Sequence, residues 1–178
     1  MSESLKKSKK FLLILFGGYT FIERILWNII NVFPKFIRKF FYKLVFANFG
    51  KNVFIDEGCY FRYPWKISIG TDVVINRGCE FYPSVKDRSS KILIGQGAIL
   101  APNVVFFGAG QDPKDHLNSD IAKSIEVCAN AYIGGNSTIR YGVQIGESSI
   151  VAAGSVVVKN VRSNTIVGGN PATFIRDV

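Results

Sequence analysis

Large apolar residues return at every sixth position over residues 49–157, and this period decides most of what the chain can fold into. The series runs Phe49, Ile55, Phe61, then Ile69, Ile75, Phe81, then Ile94, Leu100, Phe106, then Val127, Ile133, Ile139, and finally Ile145, Val151, Val157. An amphipathic helix brings one face back every 3.6 residues, so it cannot produce this series. Two positions before most of these corners stands a small or β-branched residue, as at Cys59, Cys79, Ala98, Ala131, Ser137, Ser149 and Ser155. Glycine often follows the corner, at Gly70, Gly95, Gly134 and Gly146. The unit is therefore a short strand and a turn. Three units close a triangular coil of 18 residues, and stacked coils bury each corner against the same corner above and below. The columns predicted are Ile69, Ile94, Val127, Ile145, then Ile75, Leu100, Ile133, Val151, and a third holding Phe61, Phe81 and Phe106.

The interruptions are ordered too. Extra residues enter only after a third corner: two between Phe61 and Ile69, seven between Phe81 and Ile94, and fifteen between Phe106 and Val127. All of them leave from one edge of the prism. The longest, an extruded loop at 107–124, contains Gln111, Asp112, Asp115 and His116, the chain's single histidine. A long excursion from so regular a body is where function is to be sought. One histidine also excludes a metal centre or charge relay that needs two, so no metal is expected. Glu80 and Asp87, near the second insertion, are either acceptor contacts or solvated charges.

The formal charge of +9 suggests nucleic acid until it is divided along the chain. Residues 1–50 hold nine Lys or Arg against Glu3 and Glu23, so the basicity belongs to the N-terminal arm and no nucleic-acid partner is expected. From Phe11 to Ile22 the arm is almost wholly apolar, but Glu23 and Arg24 end the run short of the ~20 residues a bilayer span requires. A helix starting at Pro34 and stopping near Gly50 would place Phe36, Ile37, Phe40, Phe41, Leu44 and Val45 on one face, with Lys35, Arg38, Lys39 and Lys43 elsewhere. Two compatible roles follow: capping the open end of the solenoid, or peripheral contact with an anionic membrane through residues 5–47. Three cysteines give no disulfide framework and point to a reducing, cytoplasmic location, extended to the inner membrane face if the arm binds lipid. Cys59 and Cys79 fall at the same inward position of adjacent coils and are expected to pack together, with Cys128 near the surface.

The repeat resembles that of the hexapeptide-repeat acyltransferases, in the branch containing maltose, galactoside and polysaccharide O-acetyltransferases, over roughly residues 49–172. The segments that carry the resemblance are Leu100-Ala101-Pro102-Asn103-Val104, Tyr132-Ile133-Gly134-Gly135, Ile145-Gly146-Glu147, Ala152-Ala153-Gly154-Ser155 through Lys159, and Gly169-Asn170-Pro171-Ala172 followed by Arg176. The resemblance implies a mainly β fold: a left-handed parallel β-helix of about five triangular coils at 49–178, with an N-terminal helical arm at 1–48 and a short C-terminal cap. It also implies a homotrimer, with acetyl-CoA lying between adjacent subunits and its thioester beside the extruded loop. By position, Tyr132, Gly134, Gly135, Ala153, Lys159 and Arg176 match residues that contact this cosubstrate in relatives. The glycines and Ala153 would let the pantetheine approach backbone groups, and Lys159 and Arg176 would pair with phosphates. The small residues are equally explained by the coil turn alone.

In that family a loop histidine accepts the proton of the attacking sugar hydroxyl, and its place here is held by Gln111. A neutral amide is no general base, and losing one costs about 10²–10⁴ in rate. Three readings stay open: His116 serves as a displaced base, Asp112, Asp115 or a neighbouring chain supplies one, or the chain is a trimeric scaffold or regulatory homologue without useful turnover. The expected function is acetyl transfer from acetyl-CoA to a sugar hydroxyl in surface polysaccharide synthesis, with an amino-sugar N-acetyltransferase as the enzymatic alternative.

Overall fold

The computed structural model describes residues 3–112 and 120–178, with side chains described for 17–112 and 121–178. Helix α1 (Glu3–Val32) and helix α2 (Lys35–Val45) precede the strands, and coil pairing begins at Asn48. From there the chain winds through three parallel walls, so that each strand pairs with the one a full coil away. The expected β-helix is what forms.

Registration follows the six-residue period at every coil. In the first wall Phe49, Ile69, Ile94, Val127 and Ile145 lie opposite one another. The second stacks Ile55, Ile75, Leu100, Ile133, Val151 and Val167. The third stacks Phe61, Phe81, Phe106, Ile139 and Val157, so the phenylalanine column continues in aliphatic residues. Nearly all of these corners are shielded from solvent, and each such burial contributes on the order of 1.5–3 kcal/mol. Phe61, Phe81 and Phe106 stack with centroids 4.8 Å apart, adding ring attraction to the burial.

Gly70, Gly95, Gly134 and Gly146 do not supply a left-handed backbone. The positive φ values fall instead on Asn52, Asp72, Asn103, Asn130, Asn136, Ser148 and Asn164, and on Gly58, Gly78, Gly97, Gly142 and Gly154. Asparagine tolerates that region because its short amide hydrogen-bonds locally. Gly134 is needed for another reason: a Cβ there would lie 2.5 Å from the Ala153 nitrogen in the coil above. The inward small residues are tied to backbone, Ser149 Oγ donating to the Gly146 carbonyl at 2.6 Å and Cys79 Sγ to that of Ala101 at 3.3 Å. Cys59 and Cys79 are both buried and free, and the hydrogen bond with Cys79, together with burial, pushes the Cys59 thiol up.

At the N-terminal end the arm covers the open column. Trp27 meets the Phe61 ring at 5.5 Å and Phe46 meets it at 5.0 Å. Glu23, buried in this contact, accepts hydrogen bonds from Tyr19 Oη (3.1 Å), Tyr60 Oη (3.0 Å) and the Tyr63 amide (3.1 Å). Helix α2 ends at Val45, short of Gly50. Arg38 and Tyr42 face the coil, while Phe36, Phe40 and Leu44 face outward. The far end is closed by an antiparallel hairpin, Thr165–Gly169 with Ala172–Asp177, carried on the second wall. Among the described residues no helix is long and apolar enough to cross a membrane.

Candidate active site

The two described ends of the long excursion pair as antiparallel strands. Ala109–Gln111 pairs antiparallel with Asp120–Ala122, Gln111 opposite Asp120. Its base is held by the Lys123 amide donating to the Gly108 carbonyl at 3.2 Å, and its first strand lies on Tyr141, which fills the space beside Gly110. Phe107 still belongs to the third wall. Gln111 is exposed at the end of the first strand and Asp112 beside it is half-buried. His116 and Asp115 lie outside the described residues.

Beside the hairpin base is a cleft of about 430 Å³ lined by Arg62, Tyr63, Tyr82, Val85, Phe107 and Ala109, among others. The rings of Tyr82 and Phe107 are parallel within 9° at 5.5 Å, which sets two flat faces on this wall. Tyr82 Oη donates to Glu80 Oε2 at 2.6 Å, and burial together with Glu80 pushes its pKa up to about 12. Glu80 is therefore committed to a neighbour. The opposite rim, the second insertion, is anchored from below by Lys66, whose buried ammonium donates to the carbonyls of Ser84 (2.6 Å), Ser90 (3.0 Å) and Asp87. The Asp87 carboxylate turns onto its own loop, accepting from the Ser89 amide at 2.8 Å and hydroxyl at 2.7 Å. No motif in the sequence singles out Arg62, Tyr63, Tyr82 or Phe107. The available signal was an aromatic residue beside the corner in three successive coils: Tyr60, Tyr82 and Phe107.

The residues expected to contact the cosubstrate divide into two groups. Tyr132, Gly134, Gly135 and Ala153 meet where the second wall turns into the third: the Gly134 amide donates to the Val151 carbonyl at 2.8 Å, and the Gly154 amide to the Gly135 carbonyl at 2.8 Å. Tyr132 is 41% exposed, so its ring is open to a partner. Lys159 lies nearer the C-terminal end, lining a recess of about 270 Å³ with Arg162, Thr173 and Phe174. Arg162, absent from the expectation, holds its guanidinium 5.2 Å from the Phe174 ring. Arg176 is exposed on the outer hairpin strand, donating to the Asp177 carbonyl at 3.2 Å, and does not line this recess.

These placements have a geometric consequence. The extruded hairpin leaves the edge between the third and first walls, whereas the Tyr132–Gly135 corner lies on the edge between the second and third. Within one chain the whole third wall separates them. Among the described residues no group of three or more His, Cys, Asp or Glu could hold a metal ion.

Comparison with known proteins agrees with the fold. No family model matches the sequence. The chain is 30% identical to galactoside O-acetyltransferase of Escherichia coli (strain K12) over 139 residues, covering 76% of this chain and 66% of the relative. It is also 30% identical over 164 residues to a Dictyostelium discoideum protein named "Putative acetyltransferase", covering 90% of this chain and 84% of the relative. A hexapeptide-repeat-containing acetyltransferase from Vibrio cholerae, solved in complex with acetyl-CoA, superposes with a TM-score of 0.76 at 26% identity over 88% of this chain and 87% of that one. The chain belongs to the hexapeptide-repeat acetyltransferases, whose body is the left-handed parallel β-helix. It spans slightly less than two thirds of the galactoside relative's length.

Proposed function

We propose that the protein is an acetyl-CoA-dependent acetyltransferase that acetylates a sugar hydroxyl, working as a homotrimer in the assembly of a surface polysaccharide. The observation that carries this reading is the aromatic, arginine-bearing cleft at the base of the extruded hairpin. Flat rings beside a cationic polar group suit a sugar ring, which offers an apolar face and hydroxyls at its edge. In the reaction the acceptor oxygen attacks the thioester carbonyl, its proton passes to a base, and the C–S bond breaks to release CoA. Gln111 would orient the hydroxyl or the thioester carbonyl, and His116 or Asp112 would accept the proton. Tyr132, Gly134, Gly135 and Ala153 would line the pantetheine path, with Lys159 and Arg176 toward the phosphates. Relatives support the sugar assignment in kind: one is named for galactoside O-acetylation, and another as a colanic acid biosynthesis acetyltransferase.

A trimer is supported by the outer surface of the second wall. Phe54, Val74, Ile99, Tyr132, Ile150 and Ile166 stand in one outward column, apolar along its length. The outward column of the first wall reads Asn48, Ser68, Leu93, Glu126, Gln144. A second chain placed against the apolar column would bring its hairpin toward the Tyr132–Gly135 corner.

Gln111 favours a second reading, a trimeric homologue that binds acetyl-CoA without turnover. Measuring CoA release from acetyl-CoA over a panel of sugars and amino-sugars separates the two. The first reading expects release by the wild type, a loss of about 10²-fold or more in His116→Ala or Asp112→Asn, and preference for a hydroxyl acceptor. Silence in the wild type with activity gained in Gln111→His would establish the second. Preference for amino-sugars would replace the acceptor class.

A further inference from the structure

We infer that the outer faces of α1 and α2 form a docking surface for an anionic lipid bilayer. The orientation of α2 carries this. Its apolar residues at one-turn spacing, Phe36, Phe40 and Leu44, are 77%, 64% and 68% exposed, while Arg38 and Tyr42 are buried against the coil. Helix α1 repeats the arrangement: Glu23 and Trp27 face inward, and Ile22, Leu26, Ile29 and Val32 face outward. The stripes meet at the turn between the helices, where Phe33 lies 6.1 Å from Phe41 and Phe41 lies 6.1 Å from Phe40. An apolar surface of this extent marks an interaction site.

Charge decides what covers it. The acidic residues of 1–50 are Glu3 and Glu23, and Glu23 is spent on three internal hydrogen bonds. Beside α2, a recess of about 600 Å³ is lined by Lys39, Lys43 and Lys51 with Asn48 and Asn52, and no carboxylate lines it. The sequence of the arm adds Lys6, Lys7, Lys9 and Lys10. A second copy laid on this face would set lysines against lysines. A bilayer of anionic lipid supplies hydrocarbon for the stripe and phosphate for the recess, and neither helix need cross it. The surface is independent of the acetyl-transfer reading, since it lies at the end of the prism away from the C-terminal recess.

Flotation of the full-length chain with vesicles tests it. Binding is expected to vesicles of phosphatidylcholine with phosphatidylserine, to weaken with added salt, and to be near background with phosphatidylcholine alone. Phe36→Ser/Phe40→Ser/Leu44→Ser and Lys39→Glu/Lys43→Glu are each expected to lower binding about tenfold or more, while Lys39→Arg/Lys43→Arg retains it. Circular dichroism and sedimentation of the same variants show whether the fold and assembly persist. Equal binding to both vesicle types, no binding to either, or a serine variant that changes oligomeric state while vesicle binding persists would overturn the proposal.

Discussion

Replacing Glu23 with Ala removes the acceptor from Tyr19, Tyr60 and the Tyr63 amide in one step. Buried donors left without a partner cost on the order of 1–3 kcal/mol each, and water entering the site recovers part of that. Glu23→Ala is therefore expected to lower unfolding free energy by about 2–4 kcal/mol in a denaturant titration, with Glu23→Gln milder. Tyr42 gives a pH prediction. Burial beneath the coil pushes its pKa from 10.0 to about 12. In that interval the folded chain holds a proton the unfolded chain has released, so the contribution is complete below pH 10 and is lost as pH approaches about 12. The unfolding free energy measured from pH 9 to 12 should fall more steeply for the wild type than for Tyr42→Phe, by roughly 2 kcal/mol. Phe81, stacked on both sides, should cost about 3–5 kcal/mol when changed to Ala.

At the scale of elements, Gly134 separates two explanations of a small residue. Because its Cβ would collide with the Ala153 backbone, Gly134→Ala should lower the melting temperature of the protein before any ligand is added. Unchanged stability with weakened CoA binding would assign the glycine to the cosubstrate alone. The corner columns were legible in the sequence because a corner is set by local spacing and by identical neighbours one coil away. Phe61, Phe81 and Phe106 occupy the same column for that reason. The direction of α2 was not legible: its period separates an apolar face from a basic one without deciding which packs on the coil, and Phe36 and Phe40 face out. The left-handed turn positions fall on asparagine as often as on glycine, as at Asn103 and Asn130. The cleft at Tyr82 and Phe107 escaped notice because its walls come from separate coils, which no local motif joins. Lys66 likewise acts across its coil, on carbonyls far along the chain.

At the scale of the whole molecule, the proposed function puts a complete site between two chains. The hairpin and the Tyr132–Gly135 corner stand on different edges of one prism, and the apolar outward column of the second wall supplies a surface for the neighbour. Ile99→Glu, placed in that column and 40% exposed in the single chain, should shift sedimentation from trimer to monomer and reduce CoA release together, while far-ultraviolet circular dichroism stays unchanged. The most direct measurement is a crystal structure of the protein with CoA. Three protomers are expected around an axis, each CoA held at the Tyr132–Gly135 corner of one chain with its sulfur beside the Gln111 hairpin of the next. A CoA enclosed by one chain alone, or bound away from both the corner and the hairpin, would contradict it.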